Sequence, residues 1–173
     1  MALPVTLTEA KRQLRVTNDF ENEFIEDAIL DAADWIEDYT GHILEEREIT
    51  ETFSSFKRLR LSAWPIEPGD IAVSTVSGGT PSPVDGAWLY AVSRPASVLP
   101  ALPNRWPGLS AGDFVTVTYT AGYASPDAVP RKMVRAMLVL ITGYFEDRSG
   151  GEAFKDAEET AKRLCRSYKR WTA

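Results

Sequence analysis

The sequence predicts an α+β fold. An N-terminal helix pair and two C-terminal helices form a helical core, with a small antiparallel β insert between them. Apolar residues recur at helical spacing in residues 1–44 and again from residue 128 onward. The residues between lose this spacing and are rich in Val, Thr, Trp, Tyr and Pro. At 173 residues, the chain is long enough for one domain with a real core and short for two.

We therefore interpret residues 1–173 as a single domain built from four segments. They are the N-terminal helices (1–44), the β-rich insert (45–120), a core helix (128–148) and a C-terminal helix or arm (152–171).

The first segment contains two predicted helices. Thr6 and Glu9 have the spacing of a capping box, which predicts a short helix to about Arg15. Its predicted buried residues are Leu7, Ala10 and Leu14. A second helix is predicted from Phe20 to Tyr39, with N-cap side chains at residues 17–19 and Gly41 as a left-handed C-terminal cap.

The second helix is amphipathic. Its predicted apolar stripe is Phe24, Ala28, Ala32, Trp35, Ile36 and Tyr39. Its opposite face is acidic and comprises Glu23, Asp27, Asp31, Asp34 and Asp38. This face is either a solvated surface or a surface that contacts a partner or a neighbouring copy.

Five strands are predicted in the insert, at residues 47–53, 58–62, 70–76, 88–92 and 114–120. Glycine and proline predict a turn or flexible tip over residues 77–83. Four prolines predict a loop-like stretch before the final strand, at Pro95, Pro100, Pro103 and Pro107.

Two helices are predicted after the insert. Pro130 begins the first of them, which has a broad apolar surface typical of a core helix. That surface comprises Val134, Met137, Leu138, Ile141 and Phe145, widened by Met133, Leu140 and Tyr144. After a break at residues 149–151, the last helix has a narrow seam of Phe154, Ala157, Ala161, Leu164, Tyr168 and Trp171. This helix is either an arm that docks elsewhere or a helix that packs on its own domain.

Composition narrows the function classes. No apolar run reaches the length of a membrane span, and we expect no secretory signal and no membrane partner. A single cysteine, Cys165, excludes an intramolecular disulfide and a Cys-cluster metal site, so we expect a reducing, intracellular environment.

The net charge of −6 is unevenly distributed along the chain. Residues 1–51 carry fourteen acidic and four basic side chains, and the rest carries eleven acidic and fifteen basic ones. Basic side chains concentrate in the last helix, at Lys162, Arg163, Arg166, Lys169 and Arg170. A chain this acidic is poorly suited to wrapping duplex DNA, whereas opposite charges at its two ends favour protein contacts.

The sequence lacks the residue patterns of catalysis. His42, the only histidine, follows the predicted Gly41 cap and is expected in a helix-terminal or surface position. Cys165 is expected to be a small core residue. No nucleophile elbow or phosphate-binding loop is present, and the acidic helix has no second carboxylate cluster for magnesium. We predict a protein that is not an enzyme, without catalytic residues, cofactor or metal.

Nucleic-acid binding stays an alternative function. Aromatic residues of the insert interleave with arginines, as in proteins that stack single-stranded bases, although aromatic residues of short strands also form sheet cores. The residues concerned are Trp64, Trp88, Tyr90 and Trp106, with Arg58, Arg60 and Arg105. The basic C-terminal helix is a second candidate contact.

Five sequence features occur in a specific order. They are LTEAKRQLRV (7–16), an acidic spacer (17–41), WPI (64–66), VTVTYTAGY (115–123) and VPRKMVRAMLVLITGYFEDR (129–148). In this order they resemble the head-tail connector (head-completion adaptor) proteins of tailed bacteriophages, in the longer branch with a β insert. Another neck or tail-completion protein is a further alternative.

The resemblance implies a structural virion protein that forms a ring beneath the portal, extends the DNA channel and provides the platform for the tail. It implies a homo-oligomer, dodecameric in the virion, whose partners are the portal protein, a downstream tail or stopper protein, and genome DNA that passes without sequence-specific binding. Its location is the virion neck, after assembly in the host cytoplasm. Within this expectation, the acidic face lies between subunits or lines the channel. The predicted contacts to the portal or a neighbour are Lys162, Arg163, Leu164, Arg166, Tyr168, Lys169, Arg170 and Trp171.

Overall fold

The computed structural model describes residues 3–90 and 94–169, with the side chains of all but residues 58, 67–70, 88 and 90. The described chain has four α-helices and seven strands, which confirms the predicted α+β class. It divides into two compact units. A helical unit comprises Met1–Glu45 and Tyr123–Ala173, and a β unit comprises Glu46–Gly122.

Helix α1 (Leu7–Leu14) begins at the predicted capping box. The Glu9 backbone N–H donates to the Thr6 hydroxyl at 3.3 Å, and the Thr6 backbone N–H donates to the Glu9 carboxylate at 3.0 Å. This hydrogen bond from the Thr6 backbone, with a second from its hydroxyl, holds the pKa of Glu9 below its ordinary value. Ala10 is fully buried, which confirms the predicted inward face.

Helix α2 (Asn22–Thr40) ends at Gly41, whose φ of 68° confirms the predicted left-handed cap. The predicted start is wrong, because the helix begins two residues later and has no side-chain cap. Asn18 and Asp19 are instead used in the preceding turn: the Asn18 side chain accepts from the Phe20 backbone N–H, and Asp19 pairs with Lys11.

The buried face of α2 is rotated from the predicted stripe. It uses small and aliphatic residues, and Phe24, Trp35 and Tyr39 at its edges are only half-buried. The rings of Trp35 and Tyr39 stack with centroids 5.0 Å apart. The buried residues are Ile25, Ala28, Ile29, Ala32, Ala33, Ile36 and Thr40.

Helices α3 (Arg131–Glu146) and α4 (Glu152–Cys165) pack side by side. A Cβ atom placed on Gly143 would lie 2.6 Å from the Ala157 Cβ, so the two backbones approach closely at this point. The most deeply buried residues of α3 are Met133, Ala136, Met137, Leu140 and Ile141. Helix α4 ends at Cys165, earlier than predicted, and the Tyr168 N–H donates to the Cys165 carbonyl in the following turn.

The β unit contains two antiparallel sheets. The larger has the order β1-β7-β3-β4, and the smaller has the order β2-β6-β5. On β7, Val115, Val117 and Tyr119 face the core, as predicted from their alternation. The strands are β1 (Arg47–Phe53), β2 (Leu59–Arg60), β3 (Ile66–Ser77), β4 (Thr80–Pro83), β5 (Ala87–Tyr90), β6 (Ser97–Pro100) and β7 (Phe114–Ala121).

Three predictions for the insert are wrong. The strand expected at 58–62 is only the two residues of β2, and part of the expected tip at 77–83 is strand β4. The stretch expected to be loop-like contains β6, which pairs with both β2 and β5. Pro100 ends β6, and the prolines of β4 lie on an edge strand, where a missing N–H is tolerated. The strand predicted at 88–92 is described only to Tyr90.

Cys165 is fully buried, which confirms the predicted core position, and desolvation raises the pKa of its thiol to about 11 from an ordinary 9.0. We expect iodoacetamide at pH 8 to modify the native protein roughly 100-fold more slowly than the unfolded chain, because the thiolate is the reactive form. Mass spectrometry of timed samples measures both rates. In the Ser167→Cys variant, the exposed second thiol should react at close to the unfolded rate. Equal native and unfolded rates for Cys165 would contradict its burial.

Candidate interaction surfaces

The acidic face of α2, defined as Glu23, Asp27, Asp31, Asp34 and Asp38, is exposed along its whole length. Helix α2 carries seven acidic and no basic side chains. From Glu23 to Asp38 the face extends about 22 Å, given the rise of an α-helix. Burial of the opposite apolar face fixes this orientation, so the structure brings all five predicted residues onto one surface.

The basic end of α4, defined as Lys162, Arg163, Arg166 and Lys169, is also exposed. Lys162 pairs with Glu158 at 2.8 Å and Arg163 pairs with Glu159 at 2.7 Å, each one helical turn away. The four basic residues, with Tyr39 and Glu159, line a shallow depression of about 240 Å³.

Ion pairing within α4 limits the positive field of this surface. Residues 152–169 contain four acidic and five basic side chains, so the segment is nearly neutral. Affinity for nucleic acid scales with the number of phosphates that free cations neutralise. Two of the basic residues are already paired with glutamates, and this disfavours α4 as a nucleic-acid contact.

The apolar seam of α4 packs within the helical unit. Phe154 contacts Tyr144 with ring centroids 4.7 Å apart, and half-buried Leu164 packs against the helical core. The rings of Tyr168 and His42 form an edge-to-face contact, with their centroids 5.7 Å apart. Of the two alternatives for this helix, the structure shows packing on its own unit. The predicted contacts Arg170 and Trp171 lie outside the described residues.

His42 is buried, so the predicted surface position is wrong and the helix-terminal one is correct. Its backbone N–H donates to the Thr40 hydroxyl at 3.1 Å, and its Nδ1 lies 2.7 Å from the Tyr123 hydroxyl. The His42 and Tyr123 rings are stacked. No spacing in the sequence indicates this cluster, because His42 and Tyr123 are 81 residues apart.

The aromatic residues proposed for base stacking have protein partners where their side chains are described. Trp106 stacks on Phe56 with centroids 4.8 Å apart, and the guanidinium of Arg94 lies 5.6 Å from the centroid of Trp64. The side chains of Arg58, Trp88 and Tyr90 lie outside the described set. The described contacts favour the structural interpretation of these aromatic residues.

Residues 3–90 and 94–169 contain no group of three or more His, Cys, Asp or Glu side chains placed to hold a metal ion. Within the same residues, no helix combines the length and apolarity needed to cross a bilayer.

A groove in the helical unit has no counterpart among the sequence-based predictions. It has a volume of about 540 Å³ and lies between residues 3–7, the N-terminal half of α2, and Pro126 and Asp127. Leu30 is 47% exposed there, although leucine on a helix normally faces the core. Leu30 on the otherwise acidic side of α2 is the one sequence signal for this groove.

Comparisons with known proteins identify relatives of the chain and of its fold. Residues 4–64 match the model of the phage gp6-like head-tail connector protein family. A search of curated protein sequences finds no match. Among solved structures, a chain in the neck of an empty gene transfer agent (GTA) particle, computed with C6 symmetry, superposes with a TM-score of 0.78 and 22% identity. The superposition covers 98% of this chain and 91% of that one.

Two other GTA structures contain similar chains. A chain in the virion of the native particle has a TM-score of 0.78 at 22% identity, covering 100% of this chain and 94% of that one. A chain in the native neck, computed with C12 symmetry, has a TM-score of 0.76 at 23% identity, covering 99% and 91%. The family match confirms the predicted resemblance, and the structural likeness confirms the fold. Head-tail connectors are structural proteins, in agreement with the prediction of a non-enzyme.

Proposed function

We propose that this chain, whose residues 4–64 match the phage gp6-like head-tail connector family, is a subunit of a ring in the virion neck. The ring lies beneath the portal, extends the DNA channel and provides the platform for the tail. The observation that carries this proposal is the likeness of the whole fold, over 98–100% of the chain, to chains in the neck and virion of GTA particles.

A homo-oligomeric ring requires two different surfaces on each subunit that fit each other, repeated by a closed rotation. The acidic face of α2 and the basic end of α4 are two exposed surfaces of opposite charge within the helical unit. We assign them to contacts between neighbouring subunits or with the portal. Twelve copies form the ring in the virion, which matches the C12 symmetry used for one of the GTA necks.

The acidic face has a second role in this proposal if it lines the channel. The five carboxylates of this face, on a helix without a basic side chain, would repel the phosphates of passing DNA. Genome DNA would then pass without sequence-specific binding. The other partners are the portal protein and a downstream tail or stopper protein, with no membrane partner. Assembly takes place in the host cytoplasm.

Reversing two charges at the basic end tests the assigned contact. The Arg163→Glu/Arg166→Glu variant should weaken ring formation or portal binding about tenfold, because opposite charges across the interface become like charges. Both residues are exposed, so the melting temperature should change by no more than about 2 °C. Sedimentation velocity over a concentration series measures the association.

The matched control is Lys57→Glu/Arg60→Glu, which makes the same change in net charge at exposed positions of the β unit. It should associate like the wild type. If the Arg163→Glu/Arg166→Glu variant also assembles like the wild type, the basic end is not an interface. Equal weakening of both variants would indicate an effect of net charge alone.

A further inference from the structure

We propose that the groove in the helical unit binds the C-terminal segment, residues 166–173, of a neighbouring copy. This inference rests on the proposed ring and names a contact within it. The groove is open, with a volume of about 540 Å³, which is large enough for several side chains of a peptide.

The floor of the groove is apolar. Leu3, Leu7 and Ile29 contribute to it, and Leu30 exposes 47% of its surface there. Large exposed apolar side chains are few in the described chain, and covering Leu30 would remove apolar area from water. An occupant with an aromatic or aliphatic side chain would provide this burial.

The rim of the groove is acidic. Glu9, Glu26 and Asp127 line it, and its lining contains no basic side chain. Hydrogen bonds from Thr6 favour the ionised form of Glu9. An occupant that carries basic residues around an apolar anchor would therefore complement both the floor and the rim.

The segment Arg-Ser-Tyr-Lys-Arg-Trp-Thr-Ala at residues 166–173 has this chemistry. It contains three basic residues, two aromatic residues and no acidic residue. Because Tyr168 packs beside His42 in its own unit, we assign Trp171 as the apolar anchor in the groove.

Three other stretches are as basic, at residues 10–17, 57–64 and 129–136, but their apolar residues pack within their own units. Leu14 of the first packs against the helical core, Leu59 of the second is buried in the β unit, and Met133 of the third is buried in the helical core.

The positions of groove and segment fit a contact between copies. The groove lies at the N-terminal half of α2, around Glu26 and Leu30. The basic end lies beside the other end of α2, where the Lys169 ammonium is 5.0 Å from the Tyr39 ring centroid. Leu30 and Tyr39 are about 13 Å apart along the helix axis. A head-to-tail ring contact requires two complementary surfaces at different places on each subunit, and the C-terminal segment and the groove meet this requirement.

The test uses a fluorescein-labelled peptide of residues 166–173 and the full chain, with binding measured by fluorescence anisotropy. We expect saturable binding that weakens about tenfold in Glu26→Lys/Asp127→Lys and in Leu30→Asp. The control Glu48→Lys/Asp85→Lys, with the same charge change on the β unit, should bind as the wild type. A peptide with Trp171→Ala should bind at least about tenfold more weakly than the native one.

The inference would be overturned if the peptide showed no saturable binding to the wild-type chain. It would also be overturned if the groove variants and the control variant weakened peptide binding equally. Rings that form normally in Glu26→Lys/Asp127→Lys would overturn it too, while the proposed ring function would stand. A wild-type chain that forms no ring, alone or with the portal, would remove the proposed function instead. Peptide binding that survives every groove substitution would place the segment on another surface.

Discussion

Replacing Gly143 with leucine is expected to lower the free energy of unfolding by about 3 kcal/mol. Gly143 is buried on α3 where the helix meets α4. Even a Cβ atom at this position would lie 2.6 Å from the Ala157 Cβ and 3.4 Å from the Phe154 Cα. A leucine adds three further carbon atoms, so α3 and α4 must separate and lose packing along their contact.

The intrinsic helix propensity of leucine opposes this effect but is smaller. Leucine in place of glycine favours an α-helix by less than about 1 kcal/mol, whereas overpacking a core costs about 1–3 kcal/mol or more. Urea denaturation followed by circular dichroism at 222 nm measures the difference in unfolding free energy.

Two variants test the stated cause. The exchange Gly143→Ala/Ala157→Gly keeps the number of carbon atoms at the contact and should be more stable than Gly143→Ala alone. Gly108→Leu places the same side chain where no atom lies within 4 Å of the added Cβ, so it should change stability by less than about 0.5 kcal/mol. A Gly143→Leu protein as stable as the wild type would contradict the close packing of α3 and α4.

Replacing Glu51 with alanine should destabilise the β unit by about 3 kcal/mol. The Glu51 carboxylate accepts hydrogen bonds from the Ser62 N–H at 2.7 Å, from the Ser62 hydroxyl at 2.8 Å and from the Tyr119 hydroxyl. Alanine removes the acceptor and leaves the buried Tyr119 hydroxyl without this partner. Glu51→Gln keeps one acceptor oxygen and should cost less than half as much.

Alkaline titration gives an independent test of the same network. Burial, and then the Glu51 hydrogen bond, raise the pKa of Tyr119 above its ordinary value of 10.0. Because the folded-state pKa is the higher one, the unfolded chain releases this proton first. The stability that Tyr119 contributes is therefore present below pH 10 and is lost as the pH rises beyond 10.

Tyr119→Phe isolates this contribution from those of other tyrosines. The stability difference between wild type and Tyr119→Phe should shrink as the pH rises above 10, measured by urea denaturation at each pH. A difference that is constant with pH, or a Glu51→Ala variant within about 0.5 kcal/mol of the wild type, would contradict the buried network.

The secondary-structure elements that the sequence predicts correctly are those specified by residues close together in the chain. The Thr6–Glu9 capping box, the Gly41 cap and strands β1 and β7 are found where their residue patterns place them. Strands β4 and β6 contain prolines and depend on pairing with distant strands, which a local pattern does not reveal. The predicted α2 stripe is correct at Ala28, Ala32 and Ile36, which are buried. It is wrong in placing three aromatic residues in the core, because close packing of the helices selects the aliphatic residues Ile25, Ile29 and Ala33 instead.

The same distinction holds for the interaction surfaces. The acidic face follows from helical spacing alone, since its five carboxylates lie three or four residues apart on one helix. The groove is assembled from residues 3–9, 26–30 and 126–127, so only the folded chain shows it. The contact between His42 and Tyr123 likewise depends on two segments that are distant in sequence.

The ring is the central claim, and native mass spectrometry of the purified chain, alone and with its cognate portal protein, tests it most directly. Electron microscopy of the same samples would show whether any oligomer is closed. We predict closed rings of this chain, formed alone or on the portal, with twelve copies in the portal-bound complex. A chain that stays monomeric at every concentration and does not bind the portal would contradict the proposed function.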